Sequence, residues 1–225
     1  MNIDGYQFKW INNEPVKWSV ENPNIITVIT ENNTDFWKDT WYGFNRFTGH
    51  VFGCNVSEII KQQQQQQRQQ QQQQQECKSE SLEVDDISFT FQLKVNAEFS
   101  YLYDQAGVIV IADESHWIKA GIEYNDDHPC MGSVLTLGKS DWATAIYQGN
   151  AKEYHMRITM INKCLRVQYS SDGGKTWPLL RLSPFEVDST NIRVGLYCCT
   201  PERQGLQVIF SNLQLSIPAF IQEFT

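Results

Sequence analysis

Several things are missing from this 225-residue sequence. Its stretches free of charge are not apolar, so no transmembrane helix is expected. The first residues, Met-Asn-Ile-Asp-Gly-Tyr, have neither a basic n-region nor an apolar core. That start predicts no secretory signal and a cytoplasmic protein. Positive charge is scarce: 18 Lys and Arg against 26 Asp and Glu leave a net charge of −8. The balance argues against a nucleic-acid binder that works by neutralising phosphates, and no membrane partner is expected either. None of the six cysteines sits in a C-x-x-C pair, which argues against a zinc ribbon or a thioredoxin-type site. Without a secretory signal they read as reduced thiols. G-x-S-x-G, H-E-x-x-H, P-loop and G-x-G-x-x-G motifs are all absent. His50, His116, His128 and His155 are scattered without metal-ligand spacing, and Asn125-Asp126-Asp127 reads as a solvated turn rather than a calcium loop. No metal, cofactor or catalytic residue is assigned.

What is present begins with 28 aromatic residues, too many for a disordered chain. The oddest feature is a glutamine tract at 62–75, broken once by Arg68. Across 61–80 the one apolar residue is Cys77, so the segment cannot bury a core face. It reads as a disordered insertion in a surface loop, because closure entropy grows only slowly with length. A helical stub capped by Ser57 could lead into it.

Elsewhere apolar residues alternate with period 2. Ile87, Phe89, Phe91, Leu93 and Val95 share one face. Tyr154, Met156, Ile158 and Met160 form another, as do Leu165, Val167 and Tyr169, and Ile192, Val194, Leu196 and Cys198. Such runs are half-buried antiparallel strands. Turn signals such as Gln148-Gly149-Asn150 and Asp172-Gly173-Gly174 separate them. Roughly 12–14 strands at this spacing predict a two-sheet sandwich or jelly roll. Strands around Trp10, Trp18 and 24–30 are too few for a domain of their own. The expectation is one domain over 1–225, interrupted by the insertion at 61–80.

Candidate chemistry centres on the run from Trp117 to Tyr124. Ile118, Ala120, Ile122 and Tyr124 form an apolar face, which leaves Trp117, Lys119, Gly121 and Glu123 opposite. A ring, a cation, a gap and an anion in line suit a ligand-binding floor, with Gly121 leaving room for a ligand to approach. A solvated face with a weak Lys–Glu pair is the simpler reading. Tyr103-Asp104-Gln105, Ser140-Asp141-Trp142, Asp35-Phe36-Trp37 and Gly49-His50 each bring a polar group near large rings. They fit either sugar recognition or turn-capping under a packed core. Ser170-Ser-Asp-Gly-Gly-Lys-Thr-Trp177 resembles the Asp-box of sialidase-like propellers. A single copy reads as a hairpin turn, because a propeller needs several.

Taken in order, Asn13-Glu-Pro15, Thr34-Asp-Phe-Trp37, Gly49-His50, Tyr103-Asp-Gln-Ala-Gly107, Trp117-Ile-Lys-Ala-Gly-Ile-Glu123, Ser140-Asp-Trp142, Tyr169-Ser-Ser-Asp-Gly173 and Gly195-Leu-Tyr-Cys198 carry a family resemblance. The sequence resembles a domain-of-unknown-function family of the concanavalin A-like lectin/glucanase superfamily, which includes proteins named for regulation of enolase. The resemblance spans about residues 6–218 apart from the tract. It implies an all-β jelly-roll sandwich of two antiparallel sheets with a concave polar face. It implies no established reaction, and only a regulatory link to sugar metabolism.

The expected function is a non-catalytic module that binds a carbohydrate, another small polar ligand or a protein, with a glycolytic enzyme as the partner the family name suggests. The expected binding residues are Trp37, His50, Gln105, Lys119, Glu123, Asp141 and Trp142. Trp37 and Trp142 would stack, Gln105, Glu123 and Asp141 would bond hydroxyls, and Lys119 would hold an anion or orient Glu123. The alternative is a glycoside hydrolase-like enzyme using Glu123 and Asp141 as its acid pair.

Overall fold

The computed structural model describes residues 1–22, 24–72, 87–217 and 219. In chain order its strands are β1 (Asn2–Ile3), β2 (Tyr6–Gln7), β3 (Lys9–Asn12), β4 (Lys17–Asn22), β5 (Ile25–Ile29), β6 (Phe36–Lys38), β7 (Asn45–Phe47) and β8 (His50–Asn55). Helix α1 (Val56–Gln72) follows, then β9 (Phe89–Ala97), β10 (Gln105–Asp113), β11 (His116–Asn125), β12 (His128–Leu137) and β13 (Lys139–Ile146). The last strands are β14 (Glu153–Ile161), β15 (Cys164–Ser170), β16 (Leu179–Pro184), β17 (Arg193–Cys199) and β18 (Gln207–Ser216).

Fourteen of them build two seven-stranded antiparallel sheets. The first runs β13-β12-β11-β10-β17-β8-β3 and the second β16-β15-β14-β9-β18-β5-β4. Strands from before and after the glutamine tract are interleaved in both. β8 pairs with β17, and β5 pairs with β18. The architecture is the all-β sandwich that the alternation predicts.

Alternation explains the core directly. On β9, Phe91, Leu93 and Val95 lie opposite Ile158, Met156 and Tyr154 of β14, and all six are buried. Each such side chain contributes roughly 1.5–3 kcal/mol relative to leaving it in water. Cys198 and Cys199 show the period at its plainest. Cys198 lies in the main core between the sheets, whereas Cys199 joins a second apolar cluster on the other face of the first sheet. The described cysteines are all free thiols, and Cys77 lies outside the described residues.

That second cluster explains why β10 is buried from Gln105 to Ala112 instead of alternating. The hairpin β6–β7 folds over the outer face of the sheet. It packs Phe36 against Trp117 at 5.7 Å and against Phe47 at 5.0 Å. The hairpin is also tied to the sheet edge, where the Lys38 N–H donates to Ser140 Oγ at 2.9 Å. The apolar run Val108–Ile111 is therefore a strand covered on both sides.

The glutamine tract begins as helix. α1 continues to Gln72, and residues 73–80 lie outside the described residues. Ser57 does not cap the helix. Asn55 Oδ1 accepts the Glu58 N–H at 3.1 Å, while the Ser57 hydroxyl donates to the Ser189 carbonyl and accepts from the Ile192 N–H. Ile59 and Ile60 pack on the core and anchor the first turns, and glutamine is a good enough helix former to carry the helix onward.

Candidate functional site

The face covered by β6–β7 also holds a cavity of about 420 Å³ beside the hairpin. Its floor comes from β10 and β11. Gln105 and Glu123 are direct cross-strand partners, and Lys119 is on the same face as Glu123, four residues earlier. Asp35, just before β6, reaches down from the covering segment to join them.

Lys119 is 3% exposed, so its ammonium must be matched from within the protein. Nζ donates to Gln105 Oε1 at 2.6 Å and to Asp35 Oδ1 at 3.1 Å. Gln105 Nε2 donates to the same Asp35 oxygen at 3.2 Å. Glu123 Oε2 stands 3.9 Å from Nζ, close enough for charge attraction and too far for a hydrogen bond. The Glu123 carboxyl thus accepts no hydrogen bond from any described residue, yet it lines the cavity with 13% of its side chain accessible.

The electrostatics follow from this crowding. Burial pushes the Glu123 carboxyl up to about 7, with Lys119 opposing and Asp35 adding to the shift. Burial would lower Lys119, but the Asp35 and Glu123 charges outweigh it and hold the ammonium above its ordinary value. Tyr103, at the cavity wall, is pushed up to about 12 by burial and by the neighbouring Tyr42 hydroxyl.

Gly121 has a different role from the one expected. The Cα atoms of Lys119 and Glu123 stand about 13 Å apart along a strand, so their side chains must lean toward each other across position 121. A side chain there would stand between them. The local backbone is also too close for one, because a Cβ on Gly121 would fall 1.9 Å from the Ala106 carbonyl oxygen. The close approach of the β10 backbone accounts for glycine at this position.

The walls are aromatic. Trp37 and Trp142 meet edge to face at 6.3 Å, and Tyr42 meets Trp37 in the same way at 5.4 Å. The Trp37 indole N–H donates to the Thr40 carbonyl, which fixes the ring. Phe44, with Arg46 over its face at 5.7 Å, extends this wall outward.

Of the seven expected binding residues, Trp37, Gln105, Lys119, Glu123 and Trp142 line this cavity. His50 and Asp141 do not. His50 is fully buried, with Nδ1 donating to the Asn13 carbonyl at 2.6 Å and Nε2 accepting from the Glu31 N–H. It braces the segment that leads into Asp35. Asp141 pairs with Arg181 of the second sheet at 2.6 Å and is mostly exposed. The Glu123–Asp141 acid pair is therefore not assembled in this cavity. Asp35, Tyr42, Phe44, Arg46 and Tyr103 are lining residues that the sequence reading did not select. Among the described residues no cluster of three His, Cys, Asp or Glu is arranged to hold a metal.

Comparison with known proteins places the fold. Residues 10–77 and 66–218 match the family described as "Protein of unknown function (DUF1349)". The chain belongs to that family. It is 40% identical over 217 residues to "Regulation of enolase protein 1" of Saccharomyces cerevisiae, covering 96% of this chain and 93% of the relative. A crystal structure of a functionally unknown S. cerevisiae protein is also 40% identical, with a TM-score of 0.77 over 94% of this chain and 97% of that one. The GH43 protein BlXynB of Bacillus licheniformis shares the fold at 12% identity and a TM-score of 0.62, over 92% of this chain but 36% of its own.

Proposed function

We propose that this family member is a non-catalytic binding module whose cavity holds one neutral, hydroxyl-rich ring, such as a sugar residue. The observation that carries the reading is the Glu123 carboxyl. It lines an aromatic-walled cavity and accepts no hydrogen bond from the described protein. Buried polar groups are normally satisfied, so an acid left open here suits a ligand that donates hydroxyls. Lys119 makes two hydrogen bonds, with Gln105 and Asp35, and an ammonium carries three donors, so one remains for a ligand oxygen. Trp37 and Trp142 supply an apolar wall for the C–H face of a ring. The volume is at the small end for ligand sites, with room for one ring and its waters or at most two rings, which does not suit a long chain running through.

Binding fits better than hydrolysis. Asp35 accepts from Lys119 and Gln105, and Asp141 is held by Arg181 outside the cavity, so the expected Glu123–Asp141 acid pair is not assembled there. The name of the yeast relative supports a regulatory setting in sugar metabolism, with enolase as a candidate protein partner.

The test is titration of the protein with a panel of methyl glycosides of the common pentoses and hexoses, followed by tryptophan fluorescence and calorimetry. A responding sugar should bind at least tenfold more weakly to the Lys119→Ala plus Glu123→Ala variant, because hydrogen bonds to charged groups are worth about 1.5–3 kcal/mol. Unchanged affinity in that variant, or silence across the whole panel, refutes the assignment.

A further inference from the structure

Just beyond the cavity wall the chain does something that folding does not explain. Trp41 is 92% exposed, the largest exposure among the large hydrophobic residues that the structure describes. Its backbone also sits in the left-handed region, at φ 62°. That conformation is unfavourable by roughly 1–2 kcal/mol for a residue with a Cβ. A tryptophan there gains no burial in return, and glycine would fit better.

The loop is not loose. The Gly43 N–H donates to the Asp39 carbonyl at 2.9 Å, the Asp39 N–H donates to the Phe44 carbonyl at 3.0 Å, and the Trp37 indole anchors Thr40. Trp41 is therefore presented on a hydrogen-bonded turn. The same turn supplies Tyr42 and Phe44 to the cavity wall, and these two remain 47% and 40% exposed. A wall residue that exposed marks the mouth. Trp41 is thus one residue from the mouth, where a ligand too long for the cavity must emerge.

We infer that the ligand is the end of an oligosaccharide, with its terminal ring in the cavity and its next rings lying against Trp41 outside. The inference rests on the sugar reading of the cavity and extends it to the length of the ligand. Three observations carry it. The cavity has room for one ring or two, its floor is formed by Lys119, Gln105, Asp35 and Glu123, and an exposed aromatic on a hydrogen-bonded turn is next in the chain to the mouth residue Tyr42. A sugar ring outside the cavity keeps its hydroxyls in water and needs only a flat apolar face, which an indole provides.

The experiment compares each methyl glycoside of the panel with the linear trisaccharide that ends in the same ring. For the responding sugar the trisaccharide should bind about tenfold tighter, and Trp41→Ala should bring that ratio close to one. Trp41→Phe should keep part of it. Trp41 is so exposed that the variant's fold should be unaffected, which circular dichroism checks. A trisaccharide no tighter than its methyl glycoside overturns the proposal and leaves the single-ring reading standing. So does a tenfold gain that survives in Trp41→Ala. If neither sugar form binds, both readings fall. Binding of a tryptophan-dependent apolar peptide in place of sugars reassigns the platform to a protein partner and also overturns it.

Discussion

Replacing Glu123 by Gln isolates what burial does to the one acid left open in the cavity. The folded-state value is about 7 against an ordinary 4.5, with desolvation the largest cause. At 1.36 kcal/mol per pK unit, the ionised carboxylate weakens the fold by about 3 kcal/mol. The sign is fixed by which state holds the proton. Below about pH 4.5 both folded and unfolded chains are protonated, and the full stability is present. Between 4.5 and 7 the unfolded chain has already released the proton that the fold retains, so stability falls as pH rises. Above about 7 both are ionised and the loss is complete. Glu123→Gln cannot titrate, so it escapes the loss. Urea unfolding of both proteins at pH 5, 6, 7 and 8, extrapolated to water, gives the difference at each pH. Groups such as His50 titrate equally in both proteins and cancel. The advantage of Glu123→Gln should grow by roughly 2–3 kcal/mol from pH 5 to pH 8. A difference that does not vary with pH refutes the reasoning. A difference that shrinks with rising pH would mean that Lys119 outweighs desolvation, and that the carboxylate stabilises the fold.

Two further outcomes follow from groups outside the cavity. Burial holds His50 below its ordinary 6.5, so the neutral ring is part of the fold and its stability is lost as pH drops below about 6.5. In urea unfolding, the parent's stability measured relative to His50→Gln should fall as pH drops from 7 to 5, and a difference that does not vary with pH would count against the assignment. Asp172 accepts N–H groups from Lys175 and Thr176 and hydroxyls from Ser170 and Thr176, which hold its carboxyl well below the usual range. Asp172→Ala should speed amide exchange at Lys175 and Thr176 while leaving sugar affinity unchanged, and protection that persists would show that the turn holds without it.

Strand parity was legible because it is local. Lys119 and Glu123 belong on one face by counting alone, and the structure brings them within 3.9 Å. The same counting warns against taking Asp141 and Trp142 together. Adjacent residues on a strand face opposite ways, and here Trp142 lines the cavity while Asp141 reaches Arg181. His50 stands near large rings in the sequence, but nearness in sequence says nothing of depth, and the residue is fully buried. Asp35 was harder to see. Its role depends on a hairpin folding over a strand some seventy residues later, and no periodicity reports which loop covers which face. The double burial of β10 has the same origin.

The buried cluster also bears on what kind of site this is. Lys119 sits almost out of water, and such an ammonium is tolerated only when opposite charge surrounds it. Asp35 supplies that charge from the covering segment and Glu123 from the sheet, so the ion pairs bridge two parts of the chain that no backbone ladder joins directly. The segment carrying Asp35 is itself pinned, since Thr34 Oγ1 and Thr30 Oγ1 both bond Thr200 of the loop after β17. A cluster fixed from both sides is preorganised, and a ligand entering it does not have to order it. Preorganisation of this kind favours recognition. On the proposed reading, the open edge of Glu123 would accept a ligand hydroxyl.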